Sequence, residues 1–140
     1  MPTPIDIQLR ITNLGKSEVS FPTFDTFGLK ISNAEGKRIM PSGGRDATIL
    51  TRPKLLPAGA SYSLSRKAEL RWDDKTKTSA LAYYDGTGSE HHFGPLAPGR
   101  YKVGFWYSVG AKTDFNTKRD PTSWLGEVVS DEVLIEVFSR

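Results

Sequence analysis

Three stretches of the chain alternate apolar and polar residues: 5–11 (IDIQLRI), 62–65 (YSLS) and 101–107 (YKVGFWY). Turn-forming residues precede the second and third stretches, at 57–59 (PAG) and 98–99 (PG). Successive side chains of a strand point to opposite faces of a sheet. A period of two therefore predicts β-strands that each have one apolar and one polar face.

Weaker signals extend this pattern along the chain. Residues 19–24 predict an edge strand, because Pro22 donates no hydrogen bond to a ladder. Residues 27–31 and 37–40 predict a hairpin around a turn at 33–36. Residues 133–138 predict the last strand. Between these strands, we expect a loop at 41–46.

Two central segments are harder to interpret. Residues 60–70 predict a long strand, but Arg66 falls on its apolar face. Either the strand bulges there or it ends by Ser65 and a short helical turn follows, since Ala, Glu, Leu, Lys and Arg favour helix. Residues 72–93 are expected to form a loop with a short helix or strand.

The number of strands and turns predicts the fold class. Seven to nine short strands separated by Gly, Pro and Asn turns favour an all-β fold, an immunoglobulin-like antiparallel β-sandwich, with a β-barrel as the alternative. A chain of 140 residues, 37% hydrophobic and 25% charged, has the size and composition of one globular domain covering 1–140.

Composition also limits the partners and the compartment. The net charge of +3 comes from basic residues in separate predicted loops, so we expect no nucleic-acid partner. No apolar run approaches the roughly 20 residues of a spanning helix, so no membrane insertion is expected. Residues 1–4 (MPTP) lack the features of a secretory signal, which predicts either a cytosolic chain or a mature portion without its leader.

Catalytic, metal and cofactor sites are not expected. The chain has no cysteine, which excludes disulfides and thiolate ligands. His91 and His92 would point to opposite faces of a strand and chelate one metal poorly, so we interpret them as solvated loop residues, with metal binding as the alternative. Residues 73–74 (DD) and 85–90 (DGTGSE) are interpreted as turns, with calcium binding as the alternative.

Enzyme chemistry is the least favoured class. No serine lies in a Gly-x-Ser-x-Gly elbow, and both histidines lie in one dipeptide. A carboxylate pair for glycoside hydrolysis stays an open alternative, because such a pair is defined by the distance between the two groups in space and not by their spacing in the sequence.

A polar segment at 110–123 is the predicted binding site. It is long for a loop between neighbouring strands, and long loops are often functional. Trp106 alternates to the outer face of its strand, where it either joins this site or packs beneath the loop. An aromatic residue within a cationic rim would concentrate binding energy in a few side chains. The predicted binding residues are Trp106, Phe115, Lys118, Arg119 and Trp124.

Several of these motifs resemble those of bacterial immunoglobulin-like domains. The shared features are Asn13 before a Gly-Lys turn, residues 56–62 (LPAGASY), residues 98–101 (PGRY), and Trp124 and Gly126 before 130–133 (SDEV). The layout is similar to that of the bacterial intracellular proteinase inhibitor family. The resemblance implies a sandwich fold, and no inhibitory residue maps onto this chain.

Together, the residues and the resemblance predict a non-enzymatic binding or accessory module that presents loops to a protein or glycan partner. A proteinase inhibitor is the alternative, and a small hydrolase is the third class.

Overall fold

The sequence folds into β-strands throughout the residues that the structure describes. A computed structural model describes residues 2–21, 27–45, 53–85, 88–109 and 126–140, and these contain no helix. The strands are β1 (Thr3–Thr12), β2 (Val19–Phe21), β3 (Phe27–Asn33), β4 (Arg38–Ile39), β5 (Pro41–Arg45), β6 (Lys54–Leu56), β7 (Ser61–Asp73), β8 (Thr78–Tyr84), β9 (Glu90–Leu96), β10 (Gly99–Val109), β11 (Gly126–Val129) and β12 (Val133–Val137).

These strands form three antiparallel sheets. The first sheet has the order β1-β7-β8-β9-β5. In the second sheet, β10 is flanked by β3 and then β4 on one side, while β11 and β12 follow one another along its other side. A small third sheet joins β2 to β6. The predicted all-β class is confirmed, with more strands than the seven to nine expected.

The main core receives buried side chains from both large sheets. Leu81 and Tyr83 come from β8 of the first sheet, and Ile31 and Phe105 come from β3 and β10 of the second. The rings of Tyr83 and Phe105 meet edge to face, with centroids 5.5 Å apart. A smaller cluster of Phe21, Leu56 and Tyr107 joins the third sheet to the end of β10.

Two predicted loops are strands. Residues 41–45 form β5, which pairs with β9 despite its Pro-Ser-Gly-Gly composition. Residues 78–84 and 90–96 form β8 and β9, so 72–93 is mainly strand where a loop with one short helix or strand was expected. The period of two is lost in β8 because Ala82, on its outer side, is also buried.

The long strand β7 passes through Arg66 without a bulge or a helical turn. Its register with β1 is continuous from residue 61 to residue 70, so both of the predicted interruptions are wrong. Arg66 is half-buried on the core side, and its guanidinium lies close enough to Tyr83 to oppose the effect of burial on that hydroxyl's pKa.

Asn13 ends β1, as its position before a Gly-Lys turn predicts. Its side-chain amide donates hydrogen bonds to the carbonyls of Ser17 and Leu56, and its Oδ1 accepts one from the amide of Gly15. This buried side chain therefore ties the turn to β6, which is distant in sequence.

The described residues contain no helix with the length and apolar character needed to cross a membrane.

Candidate functional site: a groove between two sheet edges

His91 and His92 lie in β9 and not in a loop, and their side chains point to opposite sides of the first sheet. Nε2 of His91 lies 2.9 Å from Oδ2 of the buried Asp85, and its ring stacks on Tyr83. Nε2 of His92 lies 2.6 Å from Oε1 of Glu90. The two rings therefore cannot share one metal ion. Within the described ranges, no three His, Asp or Glu side chains are grouped to hold a metal.

A network of charged side chains covers the outer face of the first sheet. Arg71 lies between two carboxylates, bonding to Glu69 and lying 3.2 Å from Glu90. The hydrogen bond to Glu69, opposed by some desolvation, raises the pKa of the Arg71 guanidinium. Burial and the two carboxylates raise the pKa of the neighbouring Tyr84. Arg71 therefore bridges two carboxylates that come from β7 and β9 of the first sheet.

The turn between β7 and β8 supports the interpretation of residues 73–74 as turn chemistry. Oδ1 of Asp73 accepts a hydrogen bond from the amide of Lys75, and this bond lowers the pKa of the exposed carboxyl. Asp74 accepts a hydrogen bond from the indole of Trp72. Both carboxylates thus have partners within the turn.

Of the predicted binding residues, Trp106 is described. It lies on the outer face of β10 as predicted, directly opposite Gly28 of β3, and a Cβ at Gly28 would overlap its Cε2 atom. The indole is half-buried by this neighbouring strand. Phe115, Lys118, Arg119 and Trp124, and the segment 110–123, lie outside the described residues.

A largely apolar groove opens between β1, at one edge of the first sheet, and the edge of the second sheet that β11 and β12 form. We call it the edge groove; its volume is about 610 Å³. Its floor is formed by core residues, namely Leu29, Ala68, Leu81 and Phe105. One wall is β1, and the other is β10 with the β11–β12 edge. The wall residues are Ile5, Ile7 and Leu9 on one side and Val103, Val129, Val133 and Ile135 on the other.

Among the described residues, the two large sheets are joined at one side and open at the other, and the groove lies on the open side. On the joined side, a single residue, Met40, connects β4 at the margin of the second sheet to β5 at the margin of the first. On the open side, β1 and the β11–β12 edge face each other without a ladder between them. Val129 and Val133 remain 47% and 65% exposed on this rim.

The main-chain groups that β1 presents to solvent follow from its ladder with β7. The amide of Asn13 donates to the carbonyl of Ala60, which continues the β1–β7 register by one pair. Hydrogen-bonded pairs alternate with non-bonded pairs in an antiparallel ladder. Odd-numbered residues of β1 therefore bond to β7, and even-numbered residues direct their N–H and C=O groups outward.

Pro4 agrees with this phase. It is an even-numbered residue, and its missing N–H falls on the outward side, where no ladder bond is lost. Among the described residues, no strand pairs with the outward side of β1. The edge thus offers main-chain groups, unpaired by any described strand, beside an apolar groove.

The sequence interpretation missed this site, although one signal was available. Pro4, directly before the alternating stretch 5–11, indicates an edge strand, and the polar face of that strand carries Asp6, Gln8 and Arg10. Nothing in the sequence indicated the strands that form the opposite wall. The strand β11 was not predicted, and it pairs with β10 across the segment 110–125 of the chain.

Comparison of the chain with models of protein families, with curated proteins and with solved structures finds no match.

Proposed function

We propose that the protein is a non-enzymatic binding module with an immunoglobulin-like sandwich architecture, and that its edge groove binds an extended segment of a protein partner as an added strand. The observation that carries the proposal is the open edge of β1 beside a groove floored by core residues. Exposed strand edges are templates for pairing with another chain.

Strand addition uses two kinds of contact, and the groove offers both. Main-chain hydrogen bonds would form to the outward groups of Asp6, Gln8 and Arg10, and these give affinity. Side chains at every second position of the added strand would point into the groove, and these give specificity. Such side chains recur about every 6.8 Å along a strand.

The lining favours a protein partner over a glycan. The four floor residues and most of the wall residues are aliphatic or aromatic. The polar residues that also line the groove are Asp6, Gln8, Arg10, Ser130 and Asp131. Sugar hydroxyls need hydrogen-bond partners when they are buried, and an apolar floor supplies none. Alternating Val, Ile or Leu side chains would instead gain from the transfer out of water.

The placement of the titratable groups supports a non-enzymatic role. Neither histidine lines the groove, and the Nε2 atom of each already lies against a carboxylate. Glu69 and Glu90 are bridged by Arg71 on the opposite face of the first sheet. A proteinase inhibitor remains a prediction from the sequence layout.

Selection from a random peptide library displayed on phage tests this function. We expect enriched peptides with apolar residues at alternate positions. Their binding should be lost in Gln8→Pro, which removes an outward N–H, and kept in Gln8→Thr, which retains that N–H and a strand-compatible side chain. Enriched peptides that bind Gln8→Pro as well as they bind the wild type, or a library without enrichment, would contradict the proposal.

A further inference from the structure

We propose that the partner strand is β1 of a second copy of this chain, paired antiparallel about a twofold axis that passes Gln8. The inference rests on the proposed function, because it names an occupant for the same edge. It would join the five-stranded first sheets of two copies into one continuous sheet, with an interface made of the same surface on both copies.

The direction of the side chains restricts the registers that are available. When two copies of one sheet join edge to edge, the core-side faces of both copies lie on the same side. Odd-numbered residues then oppose odd-numbered ones, and even-numbered residues oppose even-numbered ones. The outward main-chain groups of β1 belong to even-numbered residues, so an even pair would exchange both N–H···O bonds, except where Pro4 supplies only its carbonyl.

Charge selects one register from this set. Centring on Gln8 places Asp6 opposite Arg10 of the second copy, and the twofold axis repeats this pair. Centring on Ile7 pairs Asp6 with Gln8 and Arg10 with Pro4, which leaves both charges unmatched. Centring on Asp6 or on Arg10 places like charges directly opposite, which is destabilising.

The existing contacts of the two charged residues fit this register. Asp6 already bonds to Lys67 across the β1–β7 ladder, with Nζ and Oδ1 2.9 Å apart and both side chains largely exposed. Within the described part of the chain, no carboxylate forms an ion pair with Arg10. In the paired edge, Asp6 would lie between Lys67 and Arg10 of the second copy, and Arg10 would gain a partner.

In the same register, the apolar residues of one β1 lie opposite apolar residues of β1 in the second copy. Ile5 would oppose Ile11 of the second copy, and Ile7 would oppose Leu9, so aliphatic pairs would line the groove side along the whole interface. These residues are only partly buried in the single chain. The exposed Val129 and Val133 lie on the rim of the same groove, so the second copy would also approach this apolar rim.

Sedimentation equilibrium on a charge-swap series tests the inference. We expect the wild type to dimerise, and Asp6→Arg and Arg10→Asp each to weaken the dimer about tenfold or more, because each replaces two attractive pairs with two repulsive ones. An equimolar mixture of the two variants should dimerise again, since one chain would carry only positive charges at positions 6 and 10 and the other only negative ones. The double swap, Asp6→Arg with Arg10→Asp, should also restore the dimer.

The mixture is its own control for folding, because a chain that fails to fold alone cannot form the mixed dimer. A wild type that is monomeric at about millimolar concentration, or a dimer that both single variants leave unchanged, would overturn the inference. If the wild type is monomeric but selected peptides still require the N–H of Gln8, the second copy is excluded and the proposed function stands. If the wild type is monomeric and peptide binding does not require the N–H of Gln8, both proposals are overturned.

Discussion

The indole of Trp106 lies flat against Gly28 of the neighbouring strand, in the space that a side chain at residue 28 would occupy. The two residues are directly opposite in the β3–β10 ladder, and a Cβ at Gly28 would overlap Cε2 of Trp106. Trp106 therefore has a place on the outer face of the second sheet that glycine makes available.

We predict that Gly28→Ala displaces this indole. The added methyl overlaps the ring, and such overpacking costs about 1–3 kcal/mol. Tryptophan fluorescence, in a background with Trp72 and Trp124 replaced by Phe, should shift to the red as the ring becomes more exposed. Gly43→Ala is the matched control, because a Cβ there meets no atom within 4 Å. Identical spectra for wild type and Gly28→Ala would contradict this packing.

Phe105→Ala should remove the largest side chain of the groove floor. Phe105 is buried and contacts Tyr83 edge to face, so truncation should lower the free energy of unfolding by about 3–5 kcal/mol. Chemical denaturation measures this loss. A loss below about 1 kcal/mol would mean that the core face of β10 has been assigned incorrectly.

Tyr83→Phe should keep or raise stability. The Tyr83 hydroxyl is buried beside the Arg66 guanidinium, but the two groups do not meet in hydrogen-bonding geometry, and an unsatisfied buried polar group costs about 1 kcal/mol or more. We therefore expect the variant to unfold at a higher denaturant concentration than the wild type. A loss of more than about 1 kcal/mol would show that the hydroxyl has a stabilising partner.

The stability difference between Tyr83→Phe and the wild type should also depend on pH. Burial raises the pKa of Tyr83, and the nearby Arg66 charge only partly opposes this. Above about pH 10 the unfolded chain loses this proton while the folded chain keeps it, so wild-type stability falls as the pH rises. The advantage of Tyr83→Phe should widen between about pH 10 and pH 12. Parallel curves for the two proteins over this range would count against a buried neutral hydroxyl.

The phase of the β1 ladder is tested by two prolines. Leu9→Pro removes an N–H that bonds to β7 and should lower the free energy of unfolding by about 1–3 kcal/mol, because a β7 carbonyl loses its donor. Gln8→Pro removes an outward N–H and should cost much less. Thermal unfolding of the two variants compares them directly. Equal losses, or a larger loss for Gln8→Pro, would reverse the assignment of the outward groups.

Local alternation was sufficient to predict part of this architecture. Residues 5–11 and 101–107 alternate cleanly because each strand has one buried face, and both lie in strands. Residues 41–45 and 78–84 were misjudged because β5 is rich in glycine and Ala82 of β8 is buried on the side that alternation assigns to solvent. Arg66 interrupts the pattern of β7 without interrupting the strand, since it is only half-buried.

The candidate site could not be predicted in the same way. A groove between two edges depends on which strands lack neighbours, and that is a property of the whole topology. Pro4 indicated one edge locally, but the opposite edge is formed by β11 and β12, which pair with β10 across a long intervening segment of the chain.

Residue-resolved amide hydrogen exchange tests the binding role of β1 most directly. In the dilute chain, the amides of Ile7 and Leu9 should exchange slowly, because they bond to β7, and those of Asp6, Gln8 and Arg10 should exchange fast. When the edge is occupied by a selected peptide or by a second copy at high concentration, the three even-numbered amides should become about tenfold slower or more, because they then bond to the added strand. If they stay fast in the occupied state, or are already as slow as Ile7 and Leu9 in the dilute chain, the edge of β1 is not the binding surface.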